Sequence, residues 1–307
     1  MSTAPIRREN NPAMSASVHS TAATVFPRNI LFATDFSRQS NLALRYALPI
    51  ARKYNSKVFA AHIAPEIVGL PESAREGLRA LGYKPKAEFH DEFEKLEKDL
   101  SGIPHEMRTQ KGDVWSELSA IVEKEHIDLI VAGTHGRSGV GKLLLGSVAE
   151  KIFRRAPCPV LTVGPAVSGE TDSIVDLHEI LFATDLSDAS MAALPHAVSL
   201  AQENHARLYI LHTLESPATP EEEDALKVQL GKIVPDDANL ISQPKVFVDY
   251  GHPADRILAV AEELAIDLIV LGVRRTPVIF EAAAHLPVAT AYKVITQAIC
   301  PVLTVRE

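Results

Sequence analysis

Three segments of this chain occur twice, in the same order. ILFATDFS at 30–37 returns as ILFATDLS at 180–187, DLIVAG at 128–133 as DLIVLG at 267–272, and CPVLTV at 158–163 unchanged at 300–305. The spacing between copies shifts from one match to the next, which means a duplicated domain whose loops changed length. Each copy is far too long to be a solenoid unit. A chain of 307 residues divides this way into two halves near the commonest domain size of roughly 100–150 residues. The change of pattern falls in GPAVSGETDSIVDL, residues 164–177, where Gly, Ser and acidic residues replace apolar runs. The expected organisation is a disordered tail at 1–27, a first domain at 28–164, a linker at 165–177 and a second domain at 178–307.

Within the first copy, short apolar runs alternate with helical periodicity. NILFAT reads as a strand, and Arg38 to Tyr54 as a helix with Leu42, Ala43, Tyr46, Ala47 and Ile50 on one face. Pro49 should kink that helix late in its course. KVFAAHI reads as a second strand and residues 86–100 as a second helix. HEMRTQ, a more polar strand, belongs near a sheet edge. Asp113 is placed to cap a helix from Val114 to Lys124. DLIVAG, a helix over Leu143 to Arg154 and the strand PVLTV close the series. Strands apolar on both faces, alternating with helices, argue for parallel sheets covered on each side. The second copy repeats the scheme, with its middle at 215–243 acidic and then irregular. The fold class expected is α/β, two tandem doubly wound domains.

Directly after DLIVA comes GTHGRSGVGKLLLGS, residues 133–147. Gly136 to Lys142 spells G-x4-G-K, the opening of a P-loop, yet Leu143 stands where a P-loop needs a metal-binding hydroxyl. In a doubly wound sheet, ligands bind beyond the carboxyl ends of the strands, where strand order reverses. The ATDFS turn and the glycine loop should meet there. Gly133 and Gly136 permit tight turning and close approach of backbone to an anion. Gly146 and Ser147 fall near the next helix start, where main-chain N–H groups and the helix dipole favour phosphate.

The arrangement Gly133-x2-Gly136-x9-Gly146-Ser147, with ATDFS and the closing CPVLTV, resembles the ATP-binding signature of the universal stress protein family. The resemblance spans residues 28–307 and makes the chain similar to the tandem type of that family. It implies a five-stranded parallel sheet of order 3-2-1-4-5 in each half, with ATP, with or without Mg2+, between the first and fourth strand ends. It places Asp35 at the ribose or adenine, Ala33 and Thr34 in the same turn, and Ile63 at adenine through its main chain. Gly133, Gly136, Gly146, Ser147 and Val148 would surround ribose and phosphates, with Thr134, His135 and Arg137 completing the loop. It also implies that the last strands pair across a twofold axis. Here 159–163 would pair with 301–305 in an intramolecular pseudo-dimer, since an open strand edge invites pairing. Two chains are expected to associate further as a homodimer.

The second half departs from the signature. Aligning Lys151 with Lys293 sets Val288 against Gly146, Ala289 against Ser147 and Arg275 against Gly136. Side chains at former glycines crowd the backbone, so the second nucleotide site is expected to be degenerate, although Asp185 is retained. Asp185 is expected only to help cap its helix, Arg274 and Arg275 to be solvated, and the matching His62 and His212 to be structural. Cys158 and Cys300 are expected to be buried, inert thiols, and Trp115 a packing residue. The acidic run Glu221 to Asp224 should begin a helix.

A formal charge of −8, from 31 basic and 39 acidic residues, opposes non-specific nucleic-acid binding. No apolar run reaches the roughly 18–20 residues of a membrane span. Arg7-Arg8 lacks the apolar stretch of an export signal. Two cysteines give no disulfide framework and fit the cytoplasm, and no Cys/His spacing suggests zinc. The functional expectation is a cytoplasmic ATP-binding stress protein, a conformational or partner switch rather than an enzyme. An interaction scaffold independent of nucleotide and a P-loop hydrolase are the alternatives.

Overall fold

The computed structural model describes residues 27–64, 89–134, 145–168, 176–274 and 285–307. In the first half, β1 (Asn29–Ala33), α1 (Arg38–Tyr54), β2 (Lys57–Ala64) and α2 (His90–Asp99) come in turn. They are followed by β3 (His105–Lys111), α3 (Val114–Lys124), β4 (Leu129–Gly133), α4 (Ser147–Arg155) and β5 (Val160–Val163). The second half runs β6 (Glu179–Ala183), α5 (Asp188–Met191), α6 (Leu194–Asn204), β7 (Arg207–Leu214), α7 (Pro220–Gly231) and β8 (Lys245–Tyr250). It closes with α8 (Pro253–Glu263), β9 (Leu268–Val273), α9 (His285–Gln297) and β10 (Val302–Arg306).

All ten strands form one sheet, ordered β3-β2-β1-β4-β5-β10-β9-β6-β7-β8. Each half has the order 3-2-1-4-5, parallel throughout, and the halves join where β10 runs antiparallel to β5. Leu303 lies opposite Leu161, its own counterpart in the repeat, so the pseudo-twofold axis passes through this pair. The polar strand HEMRTQ is indeed at an outer edge, as β3.

Apolar side chains fill both faces of the sheet. On one face, Phe32, Leu42, Ala47 and Leu96 are continuous with Phe182, Ala197 and Leu208 of the second half. The opposite face holds one cluster around Leu118, Ile121, Ile130 and Ile152. Another spans the junction, where Ala149 and Phe153 of α4 pack with Val294 and Ile295 of α9. Trp115 packs on the first of these two.

Local signals explain most helix ends. Ser37 accepts the Ser40 N–H at 3.2 Å and caps α1, and Asp113 accepts the Ser116 N–H at 3.0 Å and caps α3. The acidic start of α7 is a capping box between Thr219 and Glu222. Helix α1 continues through Pro49, but its counterpart is split into α5 and α6. Pro195, in the first turn of α6, has no N–H to donate to the carbonyl one turn back. Helix α4 starts at Ser147, later than Leu143, with Leu145 and Gly146 outside it.

The halves also share their unfavourable backbone. Among the described residues, six non-glycine positions have positive φ: Phe36 and Leu186, Asn55 and His205, His126 and Ala265. They form three pairs at equivalent turns. Each left-handed residue costs about 1–2 kcal/mol, so the surrounding packing must hold the same turns in both copies.

Candidate functional site

Order 3-2-1-4-5 places the reversal of strand order between β1 and β4, which are adjacent and parallel. The crevice therefore opens at the carboxyl ends of β1 and β4. The ATDFS turn forms one wall. Thr34 N–H donates to Ala61 O at 2.9 Å, the Thr34 hydroxyl accepts the Phe36 N–H at 3.0 Å, and Asp35 accepts the Ser37 N–H at 2.9 Å. The second half builds the same turn. Leu186 N–H donates to the Thr184 hydroxyl at 2.9 Å and Ser187 N–H to Asp185 at 3.0 Å. Ser187, not Asp185, caps the following helix. Burial alone would raise the Asp185 pKa, but hydrogen bonds from Ser187 and Ser190 outweigh it and hold the carboxyl below its ordinary range.

Strand β2 supplies the side of the crevice. His62 Nδ1 lies 2.9 Å from Thr34 O, and His212 Nδ1 lies 2.8 Å from Thr184 O. Both rings therefore pin the turn, as a structural role requires. His62 also sits among Phe36, Phe89 and Phe93, with centroids at 5.0, 5.1 and 5.8 Å. The Ile63 side chain is buried on the opposite face of the sheet. Main-chain direction alternates along a strand. Ala61 O meets β1, so the Ile63 N–H and C=O point to the same side, just past the end of β1.

Strand β4 supplies the floor. At Gly133 an added Cβ would lie 2.7 Å from Gln39 C and from Ser40 N. At its counterpart Gly272 the nearest atom, Ala189 O, would be 2.0 Å away. The close approach that demands glycine is therefore by the first turn of the helix after the first strand of each half, α1 at Gly133 and α5 at Gly272. Thr134 is buried; its N–H donates to Val163 O at 3.0 Å and its hydroxyl to the same oxygen at 3.2 Å. The Thr134 carbonyl accepts the Gly146 N–H at 2.8 Å, closing the neck of the loop. His135, Gly136, Arg137, Lys142, Leu143 and Arg275 lie outside the described residues.

The loop ends in the start of α4, with Gly146 as a cap that has no side chain. The first intrahelical bond is Glu150 N–H to Gly146 O at 2.8 Å. The Ser147 and Val148 amides precede it, and among the described residues no side chain caps them. Ser147 is exposed and Val148 half-buried. Lys151 fixes α4 to the start of α3 by a 3.1 Å contact with Asp113. The Ser116 amide, Lys151 and the Ser116 hydroxyl hold the Asp113 carboxyl below its usual range. Lys293 likewise ties α9 to α8, but through Asp255, inside the helix at the position of Ser116, and not through its cap. With Lys151 aligned to Lys293, Ala289, the counterpart of Ser147, lies a full turn inside α9. Its amide, and that of Thr290, are past the first four N–H groups that a helix leaves unpaired.

One contact at this site went unnoticed in the sequence. Leu145 N–H donates to Tyr292 Oη of α9 at 3.0 Å, so the second half holds the exit of the glycine loop. The only signal was a mismatch within the repeat, Tyr292 against Glu150. Both cysteines are free thiols; Cys300 is buried as expected, but Cys158 is only half-buried. Burial, aided by Asp128, pushes the Cys158 pKa up to about 12. Burial, aided by Asp267, does the same for Cys300.

A duplicated 3-2-1-4-5 unit, parallel within each half and joined at an antiparallel seam, defines a tandem doubly wound α/β protein. The universal stress protein family model matches residues 27–164 and 177–306, and the chain belongs to that family. A universal stress protein of Methanocaldococcus jannaschii is 33% identical over 140 residues, covering 44% of this chain and 81% of that protein. The crystal structure of a universal stress protein from Archaeoglobus fulgidus shares the fold at 19% identity. It superposes with a TM-score of 0.66 over 91% of this chain and 98% of that one. Another universal stress protein, 21% identical and covering 42% of this chain and 97% of its own with a TM-score of 0.34, is described in complex with cAMP. Among the described residues, no helix is long and apolar enough to cross a membrane.

Proposed function

We propose that this chain binds one ATP, in its first half, and that occupancy of that crevice acts as a conformational or partner switch. The observation that carries the reading is the start of α4. Main-chain amides at Ser147 and Val148 face the crevice without a described side-chain cap, where a helix terminus favours a polyanion. The residues present fit the nucleotide. Gly146 brings no Cβ to the helix start, Ile63 turns main-chain groups past β1, and Asp35 lies in the turn that follows β1. In the second half the equivalent amides are inside α9. The bond from Leu145 to Tyr292 supports a switch, because the second half touches the segment that leads into α4.

Equilibrium dialysis of the full chain tests the reading, with ADP, AMP and cAMP as competitors. One ATP per chain is expected. Two per chain would show that the second half retains a site, and none would remove nucleotide from the function. Occupancy rather than turnover is the proposed signal, so rapid Mg2+-dependent phosphate release would overturn that part.

A further inference from the structure

At the opposite, amino-terminal ends of the central strands, a pocket of ≈ 110 Å³ lies between α1 and α6, above the β5–β10 junction. Its floor contains Leu161 and Leu303, the pair through which the pseudo-twofold axis passes. The repeat relates its walls too. Ile50 of α1 faces the position of Leu200 on α6, so aliphatic lining is kept in both copies. Where the copies differ, they differ in polarity: Tyr46 against His196, and Tyr54 against Asn204. Duplication has thus turned a symmetric apolar chamber into one with unlike polar ends.

His196 is the unexplained member. Its Nδ1 is shut off from water and makes no hydrogen bond of normal geometry among the described residues; the Ala192 backbone, one turn back, exerts a weaker pull. Burial lowers the pKa of this imidazole and raises that of the Tyr46 phenol, so both face the pocket uncharged at neutral pH. With Nδ1 walled in beside its own helix, Nε2 is the ring nitrogen left to a guest in the pocket, and a neutral imidazole accepts a hydroxyl there. The Asp128 carboxylate is already engaged by the amides of Arg28 and Asn29, at 2.8 and 3.0 Å. Across the rim, Lys53 of α1 reaches Glu203 O and, at 3.2 Å, Asn204 Oδ1 of α6. That strap ties α1 to α6 beside the pocket. An apolar cavity of about 150 Å³ accommodates benzene, so at ≈ 110 Å³ this chamber sets one small ring as the upper limit for a guest.

We propose that this axial chamber is a binding site for a small, uncharged, mainly apolar ring compound bearing one hydroxyl, which hydrogen-bonds to His196. The site is distinct from the nucleotide crevice and does not depend on it. Phenol is the probe and toluene its control, titrated into the full chain by calorimetry. Phenol is expected to bind once per chain and about tenfold more tightly than toluene, the worth of about 1.4 kcal/mol. His196→Leu should bring phenol down to the level of toluene, and Leu200→Trp, which fills the chamber, should abolish both. Circular dichroism and the urea midpoint should report an intact fold in each variant; if Leu200→Trp fails to fold, Ile50→Phe fills the chamber from the other wall. Absence of phenol binding, or binding undiminished in the filled variants, would overturn the proposal. So would binding seen only after deletion of residues 1–26, which would identify that segment as the occupant.

Discussion

The two halves of this molecule build the same turn and end it differently. At T-D-x-S, Asp35 and Asp185 accept the same serine amide, His62 and His212 pin the same carbonyl, and Phe36 and Leu186 share a left-handed backbone. Those features are therefore requirements of the fold, whatever binds there. The halves part company at the helix after the fourth strand. In the first, Gly146 stands just outside α4; in the second, the equivalent Val288 is within α9. A duplicated domain separates what a motif does for packing from what it does for a ligand.

The sharpest way to break this comparison is to make the first half resemble the second. Gly146→Val should weaken ATP at least about tenfold, a loss of about 1.4 kcal/mol or more, in equilibrium dialysis, with the fold intact by circular dichroism. The reverse exchange, Val288→Gly with Ala289→Ser, should not create a second site, because the amides there lie inside a helix. Recovery of a second ATP would refute that explanation.

The glycines at the strand ends come next. Gly133→Ala and Gly272→Ala should each destabilise by about 1–3 kcal/mol through overpacking, read as lower urea midpoints. Gly272→Ala should be worse, its Cβ meeting Ala189 O at 2.0 Å against 2.7 Å for the nearest contacts at Gly133. Equal tolerance of both would mean that the helix can shift and that packing does not demand glycine.

Tyr292→Phe removes one neutral hydrogen bond, worth about 1 kcal/mol. Calorimetry should show ATP affinity reduced within about fivefold. Unchanged affinity would sever the second half from the site.

The smallest effect concerns Asp185, whose folded pKa is depressed. A depressed carboxyl stabilises above its unfolded pKa and loses that contribution as pH falls through the folded value. The stability gap between the parent and Asp185→Ala should therefore be present at neutral pH and close in acid. A gap that widened on acidification would contradict the assigned hydrogen bonds.

Much of this architecture could be read from the chain, for identifiable reasons. Helix α3 was legible residue by residue because Asp113 is a strong cap ahead of a periodic apolar face. The edge position of β3 followed from its polarity. What escaped depended on contacts distant in sequence. The packing of Gly133 against the Gln39–Ser40 backbone had no local signal. The split between α5 and α6 turned on which carbonyl Pro195 leaves without a donor. The reach of Tyr292 to Leu145 crosses halves and has no local signature. Helix α7 looked uncertain because its acidic start hid the Thr219–Glu222 reciprocity.

The antiparallel seam between β5 and β10 has one more consequence. Separate subunits joined along such a seam would dissociate on dilution, to an extent set by how many copies a cell contains. Here the partners share one polypeptide, so their effective concentration is fixed by the connection between them and not by abundance. Expression level can then rise or fall steeply without altering the ratio of first halves to second halves, or how many of them are paired.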